Sequence, residues 1–232
     1  MGERTYGQFC PVAMAADVLC TRWTIVILRE LLAGSTRFNE LRRGMPRISP
    51  ALLSQRLKDL EHAGIVERKS VASDPGLFEY SITPAGRELR PVIEYFGRWG
   101  QRWISSKLCL EQLDAQLLMW DLRRNMRLEP PPEGRRIIQF LYKDAPTKDR
   151  NWWVIVNPGQ PVDVCSIDPG FDVDLYVAAS LRTMTSIWMG HQSFASAVAE
   201  EGVIFTGDRQ LAGQLQSWML LSPFATEERH VA

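Results

Sequence analysis

The chain has 232 residues, enough for two domains, with 45% hydrophobic side chains and 27 basic residues balancing 27 acidic ones. This is the composition of a folded globular protein rather than a disordered chain. With no apolar run of membrane-spanning length and no secretion-signal pattern, it points to a cytoplasmic location and no membrane partner. The zero net charge hides a division: residues 1–105 carry 15 Lys and Arg against 11 Asp and Glu, and residues 106–232 carry 12 against 16, so the basic charge lies on the half able to meet phosphates.

The first helix pattern follows Cys10-Pro11 and carries Val12, Ala15, Val18 and Leu19 on one side. Cys10 stands at the helix start, where the positive end of the peptide dipoles favours a thiolate. Two readings of it stay open: an inert, buried thiol, and a redox-active one. Cys10 and Cys20 fall about 15 Å apart along a helix, too far to bridge within one chain. The four cysteines (10, 20, 109 and 165) form no CxxC pair, and the three histidines are His62, His191 and His230. No metal site is expected, nor any other cofactor, and the thiols are expected to be reduced.

From Arg37 to Gly86 the order is short helix, turn, second helix, then two β-type runs flanking a polar loop with Pro75 and Gly76. That is a helix-turn-helix followed by a hairpin wing, the arrangement that lays its second helix in a major groove. The second helix starts at Ser49-Pro50, where Ser49 caps the first turn and Pro50 needs no N–H partner. Leu53, Leu57 and Leu60 form the buried stripe, and Gly64 ends the helix. Ala51, Ser54, Gln55, Lys58 and His62 fall on the opposite side. Gln55 matches an adenine edge, Ser54 suits a base or a phosphate, and Arg56 and Lys58 suit phosphates. Arg37, Arg42, Arg43 and Arg47 precede this helix, and Arg68 and Lys69 lead into the wing. The candidate DNA-binding set is therefore Arg37, Arg43, Ser49, Ala51, Ser54, Gln55, Arg56, Lys58, Arg68 and Lys69.

After Thr83-Pro84, one stripe carries Leu89, Val92, Ile93, Phe96, Trp99 and Trp103. A small three-helix core does not cover so much aromatic surface, which points to a homodimer with Val12 and its neighbours as the complement. Cover by the second half of the same chain is the alternative. Next come a helix over 111–126, a break at Pro130-Pro131-Pro132, and β runs at 136–142, 152–157 and 162–167 separated by turn-rich segments that suit a meander. A fourth run at 173–178 leads into a helix at 180–189. A shorter helix at 194–200, a strand at 203–206 and a helix from Asp208 through Leu221 complete an α+β pattern.

Two resemblances follow from these segments. Residues 9–103 resemble the HxlR-type branch of winged-helix transcriptional regulators. The match lies in Cys10-Pro11-Val12, RWTIVILRELLAG, RFNELRRGMPRIS, LLSQRLKDLEHAGIVER, EYSITPAGREL and FGRWGQRW. Cys20-Thr21-Arg22 departs from the Gly-Gly-Lys-like turn usual in that branch. The resemblance implies a homodimer binding double-stranded DNA at an inverted repeat, most often as a repressor, and some members use a cysteine at the place of Cys10 as a redox sensor. Residues 110–222 resemble, more diffusely, the sterol-carrier-protein type of domain, with Asp174, Leu181, Gly190, Gly202, Gly207, Asp208 and Leu215 as landmarks. That implies an α/β layer around an apolar tunnel, with Trp120, Trp152, Trp153, Met184 and Trp188 as candidate walls, and Met189 and Phe205 beside them.

The expected architecture is mainly α with α+β: a winged helix-turn-helix domain over 1–108 and a sterol-carrier-like α/β domain over 109–232. The expected function is DNA-binding regulation under a hydrophobic small-molecule effector. Two alternatives for the second domain stand beside it: a ligand-free docking module, and a lipid carrier or enzyme. The chain has no GxSxG elbow, HExxH, P-loop or dinucleotide fingerprint to favour catalysis.

Overall fold

Cys10 takes an extended conformation and Pro11 follows at the first helical position, so α1 (Pro11–Leu19) starts where the pyrrolidine ring is tolerated. None of its residues is buried. In this computed structural model residues 5–71 and 74–231 are described, and they divide into two units, Met1–Gly97 and Arg98–Ala232. No single helix among the described residues is long and apolar enough to cross a membrane.

In the first unit α2 (Thr24–Leu32) opens on Trp23, which has a left-handed backbone with φ 81°. A bulky residue there stores about 1–3 kcal/mol of strain. Ile27, Leu28 and Leu31 of α2, Leu41 of α3 (Phe38–Arg43), and Leu53, Leu57 and Leu60 of α4 (Pro50–His62) form one buried cluster. Met45 and Ile48 close it beneath the turn between α3 and α4.

The wing consists of β1 (Val66–Val71) and β2 (Asp74–Ile82), antiparallel, with Val66 opposite Ile82 and Ser70 opposite Phe78. Pro75 and Gly76, expected in the loop, lie inside β2. Pairing of β2 starts at Asp74, opposite Val71, and residues 72–73 lie outside the described residues. The short α5 (Pro84–Arg87) is capped by Thr83 and demands glycine at 86, where a Cβ would strike the Ile65 carbonyl. Then α6 (Arg90–Trp103) follows, and the division between the units falls within it.

That division comes earlier than the expected boundary after residue 108, because the C-terminal segment holds the last turns of α6. Glu227 accepts two hydrogen bonds from Arg102, the longer at 2.8 Å, and pairs with Arg98 at 3.4 Å. His230 stacks on Trp103 at 4.6 Å, and Arg229 donates to the Ile104 carbonyl at 2.9 Å.

The helix expected over 111–126 is shorter, and a separate helix that the sequence reading did not expect precedes it. Ser106–Glu111 forms α7, and α8 (Ala115–Arg124) starts at Asp114, whose carboxylate accepts from the Leu117 N–H at 3.0 Å. The sheet consists of β3 (Arg136–Tyr142), β4 (Asn151–Val156), β5 (Asp163–Cys165), β6 (Leu175–Ala179) and β7 (Val203–Gly207). Its order is β5-β4-β3-β6-β7. The first three strands form the expected antiparallel meander; β6 returns parallel to β3, and β7 pairs antiparallel with β6.

Between the later strands lie α9 (Leu181–Trp188) and α10 (Phe194–Ala199), and α11 (Arg209–Trp218) closes the unit, ending earlier than Leu221. Strand alternation sends Ile138, Phe140, Tyr142, Trp152, Val154 and Val156 into one large cluster with α8, α9 and α11. Ile137, Trp153 and Ile155 go to a smaller cluster of their own.

Candidate nucleic-acid interface

The helix-turn-helix is held from beneath by a buried carboxylate that sequence reading missed. Glu30 is 0% exposed and pairs with Arg29 at 2.6 Å. Ser35 donates to its second oxygen at 3.2 Å, and Arg29 also donates to the Gly44 carbonyl at 2.8 Å. This knot ties the end of α2 to the residue that terminates α3, and so fixes the turn that launches α4. A Cβ at Gly44 would fall on the Glu30 carboxylate. The available signal was Glu30 itself, a charge at a core position of an otherwise apolar helix.

α4 presents the face the sequence assigned to it. Leu53, Leu57 and Leu60 are buried, while Ala51, Gln55, Lys58 and His62 are exposed and Ser54 is half-buried. Ser49 accepts from the Leu52 N–H at 3.3 Å, the expected cap. Two side chains have partners within the chain. Gln55 donates through Nε2 to Asp59 at 2.8 Å. Arg56, half-buried, donates to the Arg22 carbonyl at 3.2 Å and pairs with Asp59 at 2.8 Å, which binds α4 to the turn before α2. Arg42, Arg43 and Arg47 are exposed around the start of α4.

Arg37 pairs with Glu79 at 3.4 Å, and Tyr80 donates its backbone N–H to the Thr36 carbonyl at 2.7 Å, so the chain before α3 lies along the wing. In the wing, Lys69 sits 2.7 Å from Glu67. Lys69 and the Ser81 hydroxyl together hold the Glu67 carboxyl below its ordinary range. Arg68 lies over the Phe78 ring, 3.5 Å from its centroid.

The stripe on α6 faces two ways. Ile93 is buried, and Leu89 is half-buried and packs on the winged-helix core. Val92, Phe96, Trp99 and Trp103 remain exposed, as does Val12 of α1. Cys10 is exposed, which removes the buried-thiol reading. The backbone N–H groups of Ala13 and, less strongly, Val12 at the start of α1 hold the thiol below its usual pKa.

The five candidate effector residues do not converge. Trp120, Trp152, Met184 and Trp188 share the large cluster of the second unit, but Trp153 points to the other side of the sheet. Consecutive residues of a strand cannot share a face. Among the described residues no group of His, Cys, Asp and Glu has the geometry of a metal site.

Residues 18–108 match the model of the HxlR-like helix-turn-helix family. The HTH-type transcriptional regulator YvaP of Bacillus subtilis is 39% identical over 98 residues, covering 42% of this chain and 91% of the relative. YybR, also an HTH-type transcriptional regulator of Bacillus subtilis, is 37% identical over 115 residues, covering 50% of this chain and 90% of the relative. The solved structure of the redox regulator HypR in its reduced form is 36% identical, covers 39% of this chain and 90% of its own, and gives a TM-score of 0.37.

Proposed function

This chain belongs to the HxlR-like helix-turn-helix family of transcriptional regulators, and from that premise we propose that it is a homodimeric repressor reading an inverted-repeat operator with α4 in the major groove. The observation that carries this reading is α4 itself. Its leucine face is locked into the core, while Ala51, Ser54, Gln55 and Lys58 are turned away from it, with Arg42, Arg43 and Arg47 exposed at its start. Gln55 reads a base edge once its bond to Asp59 opens, and Ser54 assists. Arg37, Arg43, Arg56, Lys58, Arg68 and Lys69 set register on the phosphates, with Arg37 and Lys69 first exchanging their carboxylates for DNA.

A second copy covers Val92, Phe96, Trp99 and Trp103, which are 42–54% exposed, together with Val12 of α1, which is 75% exposed. Aromatic surface of this extent on a helix is the usual mark of a partner.

The reading is tested by selecting an operator from random duplexes and titrating variants against it. Gln55→Ala relaxes preference at one position, by about 1–3 kcal/mol of discrimination. Lys58→Ala weakens all duplexes alike and lowers the salt slope by about one unit per site. Equal, sequence-blind losses from both refute base reading by Gln55.

A second reading concerns residues 109–232, taken as a sterol-carrier-like, effector-binding domain. It is supported by the strand and helix order and by the grouping of Trp120, Trp152, Met184 and Trp188 between sheet and helices. An apolar effector acts only through different affinities for the DNA-competent and incompetent states. Native mass spectrometry before and after organic extraction tests it: no apolar adduct, and no change in operator affinity on adding back the extract, refutes it.

A further inference from the structure

The three basic side chains at the wing are held in different ways. Lys69 faces the Glu67 carboxylate at 2.7 Å, and Arg37 faces Glu79 at 3.4 Å. Arg68 is exposed and, among the described residues, has no carboxylate within ion-pair distance. Its guanidinium instead lies over the Phe78 ring, 3.5 Å from the centroid.

The hairpin register explains the contact. Arg68 stands opposite Tyr80, and Phe78 is the next residue of β2 on the same face. Diagonal neighbours of this kind lie about 7–8 Å apart at the backbone, within reach of a long side chain. At its root this face is sealed into the core by Val66 and Ile82, both buried. Further out it leaves the core, and the half-buried Phe78 provides a rigid apolar platform there. A guanidinium held over a ring keeps N–H donors available to an acceptor, and its planar fork loses little further rotamer freedom on meeting one.

We infer that Phe78 is a positioning residue for duplex binding, holding the Arg68 guanidinium in advance in the orientation in which the wing delivers its charge to a DNA phosphate. This rests on the DNA-binding reading above, and the two are separable by experiment. The full chain, Phe78→Leu, Phe78→Tyr, Arg68→Ala and the Phe78→Leu/Arg68→Ala double variant are titrated by fluorescence anisotropy against a labelled mixed-sequence duplex of about 30 base pairs, at about 50 to 200 mM salt.

Arg68→Ala lowers affinity and reduces the salt slope by about one unit per engaged wing. Phe78→Leu keeps the charge, so it weakens binding about two- to five-fold per wing with the wild-type slope. Phe78→Tyr keeps the ring and binds as wild type. In the Arg68→Ala background, Phe78→Leu adds nothing. The inference is overturned by wild-type affinity in Phe78→Leu, or by a Phe78→Leu loss that persists without Arg68, since the ring then acts through the fold of the wing. Failure of the wild-type chain to bind any duplex would instead remove the DNA-binding reading itself.

Discussion

Gly44→Ala is expected to be among the most damaging single-methyl additions in the first unit. Nothing in the backbone forbids alanine: Gly44 has φ −77° and ψ −6°, an ordinary right-handed conformation, where replacing glycine usually helps by up to about 1 kcal/mol. The obstacle is the Glu30 carboxylate, which occupies the space of the new Cβ and is 0% exposed. To make room it must leave Arg29, at 2.6 Å, and Ser35, at 3.2 Å. Arg29 is 37% exposed, so the pair is partly buried, and displacing the buried carboxylate costs about 3 kcal/mol, the low end for a buried pair, which outweighs any backbone gain. For a unit of this size each kcal/mol lowers the unfolding midpoint by about 4–8 °C, so with the backbone gain set against the cost a fall of about 8 °C or more is expected. Urea unfolding, with hydrogen exchange read on peptides from α2 to α4, locates the loss in this unit. Glu30→Ala is itself destabilising, but it empties the space, so adding Gly44→Ala to it costs less than about 1 kcal/mol further. A cost of Gly44→Ala below about 1 kcal/mol, or one unchanged in the Glu30→Ala background, would refute the reasoning.

Other expectations follow from the same geometry. Phe96→Glu, at a side chain 54% exposed, raises the dimer dissociation constant about 30-fold or more in sedimentation, while monomer stability stays within about 0.5 kcal/mol. An unchanged constant, or a full chain that does not dimerise, would refute the proposed interface. In a variant retaining Cys10 alone, iodoacetamide alkylation reaches half its maximal rate below the usual thiol value of 9.0, and Ala13→Pro, which removes the main donor, moves the midpoint up. No movement would deny that backbone N–H groups set this thiol. Burial, and then the Arg229 guanidinium, hold His191 below the usual imidazole value of 6.5, so the unfolded chain binds the proton more readily. The resulting stability is complete above about 6.5 and is lost as pH falls towards the folded value. His191→Gln flattens that slope in chemical unfolding, and a slope that survives the substitution assigns it to another group.

Much of the recognition unit was legible because its signals are local. The Ser49 cap, Pro50, the leucine stripe and Gly64 define α4 through interactions within a few residues, and they decide which side chains stay outside. In the second unit, runs of β-branched and aromatic residues between turn signals likewise marked the strands and helices to within a few residues. The late start of α8 went unseen because Asp114 reads as a solvated charge until its carboxylate is found capping the helix.

Contacts between distant residues needed the fold. Whether Arg56 reaches the Arg22 carbonyl, and which rows of the α6 stripe turn inward, depend on neighbours that periodicity does not name. Trp152 and Trp153 were grouped by chemistry, and the pleat of β4 separated them. The sequence by itself determined the elements, the buried stripes and the basic side chains around α4, since these follow from backbone propensity and amphipathic spacing. Tertiary structure alone decided the Glu30 knot, the Phe78 platform under Arg68 and the hold of Glu227 on α6, because each joins residues whose proximity is set by packing and not by position along the chain.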